Sequence, residues 1–245
     1  APECRYAWGS HPDADNGDVT VNAADYTNYS SYIGSVGGAG TVGIGMAVNT
    51  NKTDRNTSAY IDNAAPTSKA KNLTVAATGK QGISSIAAGI GVSGTAGIAG
   101  TVSTTDFSGK TEARISNSDL SVDSLGVEAT QFARSKVNNS TAGISYVGVG
   151  GSVAVGTDKH EVSALVDNSD IDLNSNGSGE VSVKADNYTD FNAVAEGIGG
   201  GVVGAAGNVA VNYLENTITA GINGSDIGSA DFRALNIDIE AENDL

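Results

Sequence analysis

The feature that most constrains this chain is a short pattern of alternating apolar residues that returns at a nearly constant interval. The pattern has five copies, which begin at Val19, Leu73, Leu125, Val181 and Ile237. A second marker keeps the same interval, with its last residues at Asn63, Asn117, Asn168 and Gly224. An interval of about 54 residues is typical of repeat proteins, whose units bury their apolar sides by stacking. The chain is therefore predicted to form a stacked array.

Each repeat shows the alternation of apolar and polar residues that is typical of β-strands with one buried face. Val181–Ala185 represents the first strand, and a glycine-rich middle and a second alternating strand follow it. Charged segments, predicted as loops at Asn51–Arg55 and Thr157–Glu161, precede a short closing strand such as the one around Ile61. The predicted class is all-β, a β-solenoid of the parallel β-helix type. The alternative is a stack of β-hairpins, with Gly37–Gly40 as a turn.

The repeats form one continuous domain with an incomplete repeat at each end. Residues 1–16 are predicted to end a preceding repeat, and residues 235–245 are predicted to open a fifth. The four complete repeats cover residues 17–70, 71–124, 125–179 and 180–234. Since about 54 residues is long for one coil, two or three turns per repeat are predicted, and hence a rod of roughly 40–60 Å.

The Asn and Gly residues that end the second marker predict a recurring turn. Asn and Gly are the residues that tolerate a left-handed backbone with positive φ. A geometric role at one corner of every repeat is therefore predicted for Asn63, Asn117, Asn168 and Gly224, rather than a chemical role.

The glycine-rich middle of each repeat is predicted to be a place where strands pack closely. The segment Gln81–Thr105 carries no charge, but its glycines disfavour a transmembrane helix, so a pair of buried strands is predicted. The spacing G-x-G-x-x-G, which resembles a dinucleotide-binding loop, occurs without a predicted helix after it. Packing glycines are therefore favoured over a cofactor site. The three copies are Gly38/Gly40/Gly43, Gly89/Gly91/Gly94 and Gly199/Gly201/Gly204.

Charge and cysteine content restrict the partners of the chain. The chain has 13 Lys and Arg against 28 Asp and Glu, and its net charge of −15 repels nucleic acid. Cys4 is the only cysteine, which excludes an internal disulfide and a cysteine-based zinc site. The segment Asp13–Asp18 resembles a calcium loop but lacks the EF-hand spacing, so a polar turn is predicted. No cofactor and no metal ligand are assigned, and weak binding of Ca²⁺ at the acidic surface is left open.

No catalytic centre is predicted from the residue types present. The two histidines, His11 and His160, fall in different repeats and are predicted to be surface residues in loops. A β-helical polysaccharide lyase would need acidic and basic groups gathered in one groove, whereas the cations of this chain are scattered. The chain is therefore predicted not to be an enzyme, and a polysaccharide-active enzyme is the least favoured alternative.

The run Val181–Ala195 (VSVKADNYTDFNAVA), followed by a Gly/Ala/Val stretch and Val209–Asn212, resembles the repeats of large bacterial surface adhesins. The texture is that of leukotoxin-type filamentous adhesins and, more loosely, of filamentous-haemagglutinin-like exoproteins, and it covers residues 17–241. The resemblance implies secretion by a type V route, display on the bacterial cell surface and a β-helical stalk. It assigns no functional residue, because the repeats are scaffold.

Two functions are expected from the repeats and the resemblance. The first is a structural and adhesive extracellular segment, whose partners are adjoining repeats and a host cell or matrix surface. The second is a subunit of a self-assembling filament, because an unpaired strand edge is a template for another chain. In that case Arg5–Ser10 of one copy and Ile237–Ala241 of the next would share a coil. Neither a nucleic-acid partner nor membrane insertion is expected.

Overall fold

The structure, a computed structural model, describes residues 3–7, 17–65, 68–173, 179–228, 234 and 236–245, with the backbone alone for residues 3–7 and 68. The described chain is all β, as predicted, and contains no helix. Its strands are β1 Glu3–Ala7, β2 Val19–Ala39, β3 Val42–Asp62, β4 Ser68–Ser93, β5 Ala96–Ser116, β6 Asp119–Ile144, β7 Val147–Asp167, β8 Asp170–Leu173, β9 Glu180–Gly200, β10 Val203–Leu214, β11 Thr217–Asn223, β12 Asp226–Ile227 and β13 Asn236–Asp244.

The strands form two sheets, and consecutive long strands lie in opposite sheets. Sheet A has the order β1-β3-β5-β7-β10, with β11 also beside β7. Sheet B has the order β12-β8-β6-β4-β2, with β9 beside β6 and β13 beside β9. Every pairing between described strands is parallel, which confirms the β-solenoid. The alternative stack of hairpins is excluded, because hairpins pair antiparallel strands.

Each repeat makes one coil, so the prediction of two or three turns per repeat is wrong. The strand-pairing register joins Val19, Leu73, Leu125, Val181 and Ile237 in one column, as the repeat pattern predicted. The repeats are long because their strands are long: β2 has 21 residues and β4 has 26. At about 4.8 Å between neighbouring strands, the stack is about 20 Å tall, shorter than the predicted rod. We number the coils 1 (β2, β3), 2 (β4, β5), 3 (β6, β7), 4 (β8–β11) and 5 (β12, β13).

The segments predicted as charged loops are parts of strands, so that prediction is also wrong. Asn51–Arg55 lies within β3 and Thr157–Glu161 within β7. Charged side chains at alternate positions face water on the outside of the sheet, which a strand allows. They pair with opposite charges on the next coil, as Lys159 does with Glu215 at 3.0 Å between Nζ and Oε2.

The hydrophobic core lies at one end of the coils, beside a recurring corner. There the inward Val, Leu, Ile and Ala side chains of sheet B face the inward Ala, Ile and Val side chains of sheet A. Val75 and Ile115 are completely buried. Because the apolar face of each coil is covered by the coils above and below it, no coil is expected to fold alone.

The corner beside this core has the predicted left-handed backbone. Asn63, Asn117 and Asn168 have φ values of 56°, 48° and 47°, and Gly224 has 56°. The residue after each of these links neighbouring corners: Ser118 Oγ, after Asn117, accepts a hydrogen bond from the Ala64 N–H at 3.1 Å. The geometric interpretation of this column is therefore confirmed.

Candidate functional site

The end of each coil opposite the core, which we call the blade, has glycines and other small or polar residues inside and mainly apolar side chains outside. The blade consists of residues 31–50, 85–104, 137–155 and 193–211. A Cβ atom on Gly91 would lie 2.1 Å from the carbonyl oxygen of Ile98, and one on Gly45 would lie 2.1 Å from that of Ile90. The backbones of the two sheets therefore touch, and only glycine fits at such positions.

The G-x-G-x-x-G motifs lie in these strands and in the tight turns of the blade, and no helix follows any of them. The prediction that these are packing glycines is confirmed for seven of the nine, since a Cβ on each of the seven would approach a backbone atom within 3 Å. Gly38 and Gly40 are the exceptions, because a Cβ on either would have no neighbour within 4 Å.

The outer faces of the blade expose aliphatic side chains on both sheets. Val36 is 77% exposed and Ile44 is 54% exposed. In Gln81–Thr105, predicted as a pair of buried strands, the strands are present, but Ile86, Ile90 and Ile98 face outward and are exposed. Among these described blade residues Glu196 is the only charged one. Since soluble monomers rarely expose large contiguous apolar patches, the blade is a candidate interaction surface.

Both ends of the stack present strand edges that no described residue pairs. Among the described strands, β13 covers only residues 180–188 of β9, and β10 has β7 as its only neighbour. At the other end, within the described ranges, β1 covers only residues 58–62 of β3, and β2 pairs with β4 alone. Unpaired edges of parallel strands are templates on which a further strand can form hydrogen bonds.

A cluster of buried polar side chains, which we call the Asp158 cluster, lies between the core and the blade. The Asp158 carboxylate accepts hydrogen bonds from His160 Nδ1–H, from Thr189 Oγ1–H at 2.9 Å and from Asn216 Nδ2–H at 3.0 Å. Gln81 Nε2–H donates to His160 Nε2 at 3.0 Å, which assigns the imidazole proton to Nδ1. The cluster thereby joins coils 2, 3 and 4.

The prediction that His160 is a surface residue in a loop is wrong. Asp158 and His160 occupy inward positions of β7, and both side chains are 0% exposed. Both groups are shielded from solvent, and their hydrogen bonds hold coils 2, 3 and 4 together. The signal that could have revealed it is the spacing of Asp158 and His160 from Val162, which places all three on the same face of a strand.

A column of aromatic and charged side chains lies on the outer face of sheet B, beside the Asp158 cluster. The rings of Phe132 and Tyr188 stack with centroids 4.9 Å apart, and Lys80 Nζ lies 6.0 Å from the Phe132 ring centroid. Next to them Arg134 Nε lies 3.2 Å from Asp190 Oδ2. These residues line a shallow surface groove that crosses coils 2 to 4. The column combines aromatic surface with hydrogen-bond donors and acceptors.

Stacked acidic residues are the remaining electrostatic feature. Burial, followed by the charges of Asp119, Asp172 and Asp226, raises the pKa of Asp170 above its ordinary value. In the part of the chain that the structure describes, no group of three or more His, Cys, Asp or Glu side chains is placed to hold a metal ion. His11 and residues 13–16 of the calcium-like segment lie outside the described residues, as does the Cys4 side chain.

Neither a search for membrane-spanning helices nor comparison with known proteins assigns a function to these surfaces. Within the described ranges no helical segment has the length and hydropathy needed to cross a bilayer. The chain matches no protein-family model, no curated protein and no solved structure.

Proposed function

We propose that this chain is a structural and adhesive segment of a bacterial surface protein, an extracellular β-solenoid that joins adjoining repeats. The observation that supports this function is the in-register pairing of one coil per repeat, which continues through the stack. Adding coils to such a stack extends it without changing the contacts within any existing coil. A stalk needs this property.

The adhesive part of the proposal is supported by the outer column of sheet B. Aromatic residues and Arg are enriched in protein interfaces, and Phe132, Tyr188 and Arg134 present both on one exposed surface. The resemblance of the repeats to those of surface adhesins favours a host cell or matrix component as the partner.

Adhesion is tested with beads that carry the purified chain, applied to epithelial cells and to collagen-coated glass. We expect saturable attachment that falls when Phe132→Ala, Tyr188→Ala and Arg134→Ala are combined. Thr20→Ala, an outward substitution on the same sheet away from the column, is the control. Attachment that is absent, or that is equal for the triple variant and the control, would contradict the adhesive role.

The structural role is tested by inserting a second copy of residues 125–179 directly after Gly179. Because each coil adds one more stacking interface, we expect a higher melting temperature and a particle taller by about 4.8 Å in small-angle X-ray scattering. A longer chain that melts earlier would contradict the proposal that these repeats are additive scaffold units.

A second candidate function is a filament subunit, which the shapes of the two ends favour. β13 lies over the first part of β9 in sheet B, and β1 lies over the last part of β3 in sheet A. The two short strands therefore occupy different parts of a coil. In copies joined head to tail, β13 of one copy and β1 of the next could form parts of the same coil. Contacts of this kind that do not close generate filaments.

The filament is tested by negative-stain imaging of the chain over a concentration series. Fibres as wide as one coil, about 70 Å for a strand of 21 residues, are the expected result. Discrete particles at every concentration would contradict head-to-tail assembly.

A further inference from the structure

The blade face of sheet A carries a groove bordered by two ridges. The groove is the column Gly100, Gly151 and Gly207, which the strand register aligns along the stack and which Met46 closes at coil 1. One ridge is the column Val48, Val102, Val153 and Val209. The other ridge is the column Ile44, Ile98, Val149 and Ala205. This face contains no charged residue.

The three glycines of the groove are not required by the fold of a single copy. A Cβ on Gly207 would have no neighbour within 4 Å, and one on Gly151 would lie 3.4 Å from the Gly207 carbonyl oxygen. A Cβ on Gly100 would lie 3.8 Å from Met46 Cγ, an ordinary contact. None of the three has a positive φ. These outward glycines thus differ from inward ones such as Gly91, where the backbone of the opposite sheet leaves no room for a Cβ atom.

We propose that the groove receives the valine ridge of a second copy of this chain, so that two blades pair face to face. A two-fold axis that runs along the stack, between the two columns, places the groove of each copy opposite the Val48 column of the other. Val153 would then insert at Gly151 of the other copy, and Val209 at Gly207. Each copy supplies both the ridge and the groove, as a two-fold interface requires.

The size of the face is sufficient for a stable pair. Nine residues along each strand and four strands at about 4.8 Å give roughly 600 Å² per copy. Two copies together would bury roughly 1,200 Å², which lies at the lower end of the range for specific interfaces. The face is aliphatic, and its ridges and groove suit the interdigitation of two sheets that pack face to face.

A second copy fits this face better than lipid does. A blade inserted into a bilayer would carry the exposed Glu196 carboxylate of sheet B into hydrocarbon, where a charged side chain is costly. Sheet A is the face that pairs, because the outer blade face of sheet B is interrupted by Asn138 and Glu196. The pairing uses neither the strand edges nor the outer column of sheet B, so it does not rest on the proposed function.

The test compares two substitutions of outward glycines in coil 4 of the same sheet. Gly207→Leu fills the groove, and its Cβ meets nothing within the chain. Gly221→Leu is the matched control outside the blade, where a Cβ would make an ordinary contact with Leu165 Cδ2 at 3.6 Å. Circular dichroism and melting temperature of both variants verify that the fold is retained.

Sedimentation velocity over a concentration series measures the pairing. We expect Gly207→Leu to raise the dissociation constant of the dimer at least about tenfold over that of the wild-type chain. Gly221→Leu is expected to leave it unchanged. Val153→Lys, which introduces a charge into the ridge, is expected to weaken the dimer similarly and to keep the fold, since its side chain points outward.

Three results would overturn the proposal. The first is a wild-type chain that stays monomeric at every concentration. The second is a dimer that both glycine variants retain equally, which would place the contact on the strand edges or on sheet B. The third is a monomer that floats with phosphatidylcholine vesicles, which would make lipid the occupant of the blade.

Discussion

Asp158 and His160 fill two inward columns in which the other coils carry unrelated residues. The Asp158 column also contains Thr53, Phe107 and Leu214, and the His160 column contains Arg55 and Gly109. A polar cluster that occurs in only one place along an array of similar coils distinguishes the correct alignment of the strands from an alignment shifted by one repeat. Buried polar groups are known to specify register in this way, at some cost in stability.

Removal of Asp158 is predicted to be among the most destabilising single changes in the chain. Asp158→Ala leaves His160, Thr189 and Asn216 without their shared buried acceptor, and we expect a loss of about 3–5 kcal/mol in the free energy of unfolding. The control is Asp190→Ala, which removes an ion pair exposed to water and is expected to cost about 0–1 kcal/mol. Urea denaturation measures both, and equal losses would show that the cluster is not a structural centre.

The stacked carboxylates around Asp170 predict a pH dependence of stability. Since the folded chain raises the pKa of Asp170, chiefly by burial and then by Asp119, folding disfavours the ionised form. The resulting penalty is absent below the ordinary aspartate pKa of about 4 and grows as the pH rises through the folded pKa. Asp170→Asn should therefore raise the melting temperature at neutral pH, with a gain that disappears in acid.

Melting curves of Asp170→Asn from about pH 7 down to about pH 3, below the ordinary aspartate pKa, provide the measurement for this prediction. Asp54→Asn, which removes one negative charge from an exposed position elsewhere, is the control for net charge. A gain that is the same at all pH values, or that is equal in the control, would contradict the carboxylate stack as its cause.

At the scale of the element, the strands of this protein have two different interiors. Near the corner they enclose Val, Leu, Ile and Ala, which supply hydrophobic burial. In the blade they enclose glycine together with small and polar residues such as Asn49, Ser85 and Asn139. At the glycines the sheets approach until their backbones touch, and the aliphatic side chains lie outside. The blade therefore gains little from hydrophobic burial within one copy, and it is stabilised by the parallel hydrogen bonds between coils.

Substitution of an inward glycine is predicted to force the two sheets of the blade apart. Gly91→Ala places a Cβ 2.1 Å from the Ile98 carbonyl oxygen, and backbone cannot move aside as a flexible side chain can. We expect a loss of about 1–3 kcal/mol or more, as for other overpacked interiors. Chemical denaturation measures the loss.

The matched control for this prediction is Gly38→Ala, whose Cβ has no neighbour within 4 Å. That change is expected to be neutral or to stabilise by about 0.4–1 kcal/mol, because it restricts the unfolded chain. If the two alanine variants have the same stability, the close contact of the two sheets is not the reason why glycine occupies the inward positions.

At the scale of the whole molecule, the stack behaves as a one-dimensional array with different middle and end coils. Coils 2 and 3 have a neighbour on each side, whereas β10 and β13 each have an outer edge that no described strand pairs. In such arrays each unit is stabilised by its neighbours, so the outermost units open first.

Amide hydrogen exchange is predicted to report this gradient. We expect the slowest exchange in β5 and β6, and exchange that is faster by orders of magnitude in the blade part of β10 and in β13. Dimerisation through the valine ridge would slow exchange in β10 at high concentration, without an effect on β13. Uniform protection across all coils would contradict the array description.

Much of the architecture follows from the residues alone. The repeat interval, the apolar columns and the left-handed corner at Asn63, Asn117 and Asn168 were predictable because strand alternation and positive φ leave a direct trace in residue type. The strand content of Asn51–Arg55 and Thr157–Glu161 was not, because a charge-rich segment has the same composition in a loop and on the outer face of a long strand. The burial of His160 was missed because the segment was taken as a loop, so its alternation with Val162 on one face of a strand was not considered.

The sequence by itself determined that this chain is a repetitive all-β array with thin interiors, since its period and its small residues allow little else. Only the tertiary structure decided that each repeat is one wide coil, because pairing partners about 54 residues apart are set by contacts between coils rather than by local preference. The tertiary structure also decided which glycines face inward and which face outward. Alternate residues of a strand point to opposite faces, and only the packing of the strand in its sheet decides which of the two faces is buried. The buried cluster and the grooved face both depend on that choice.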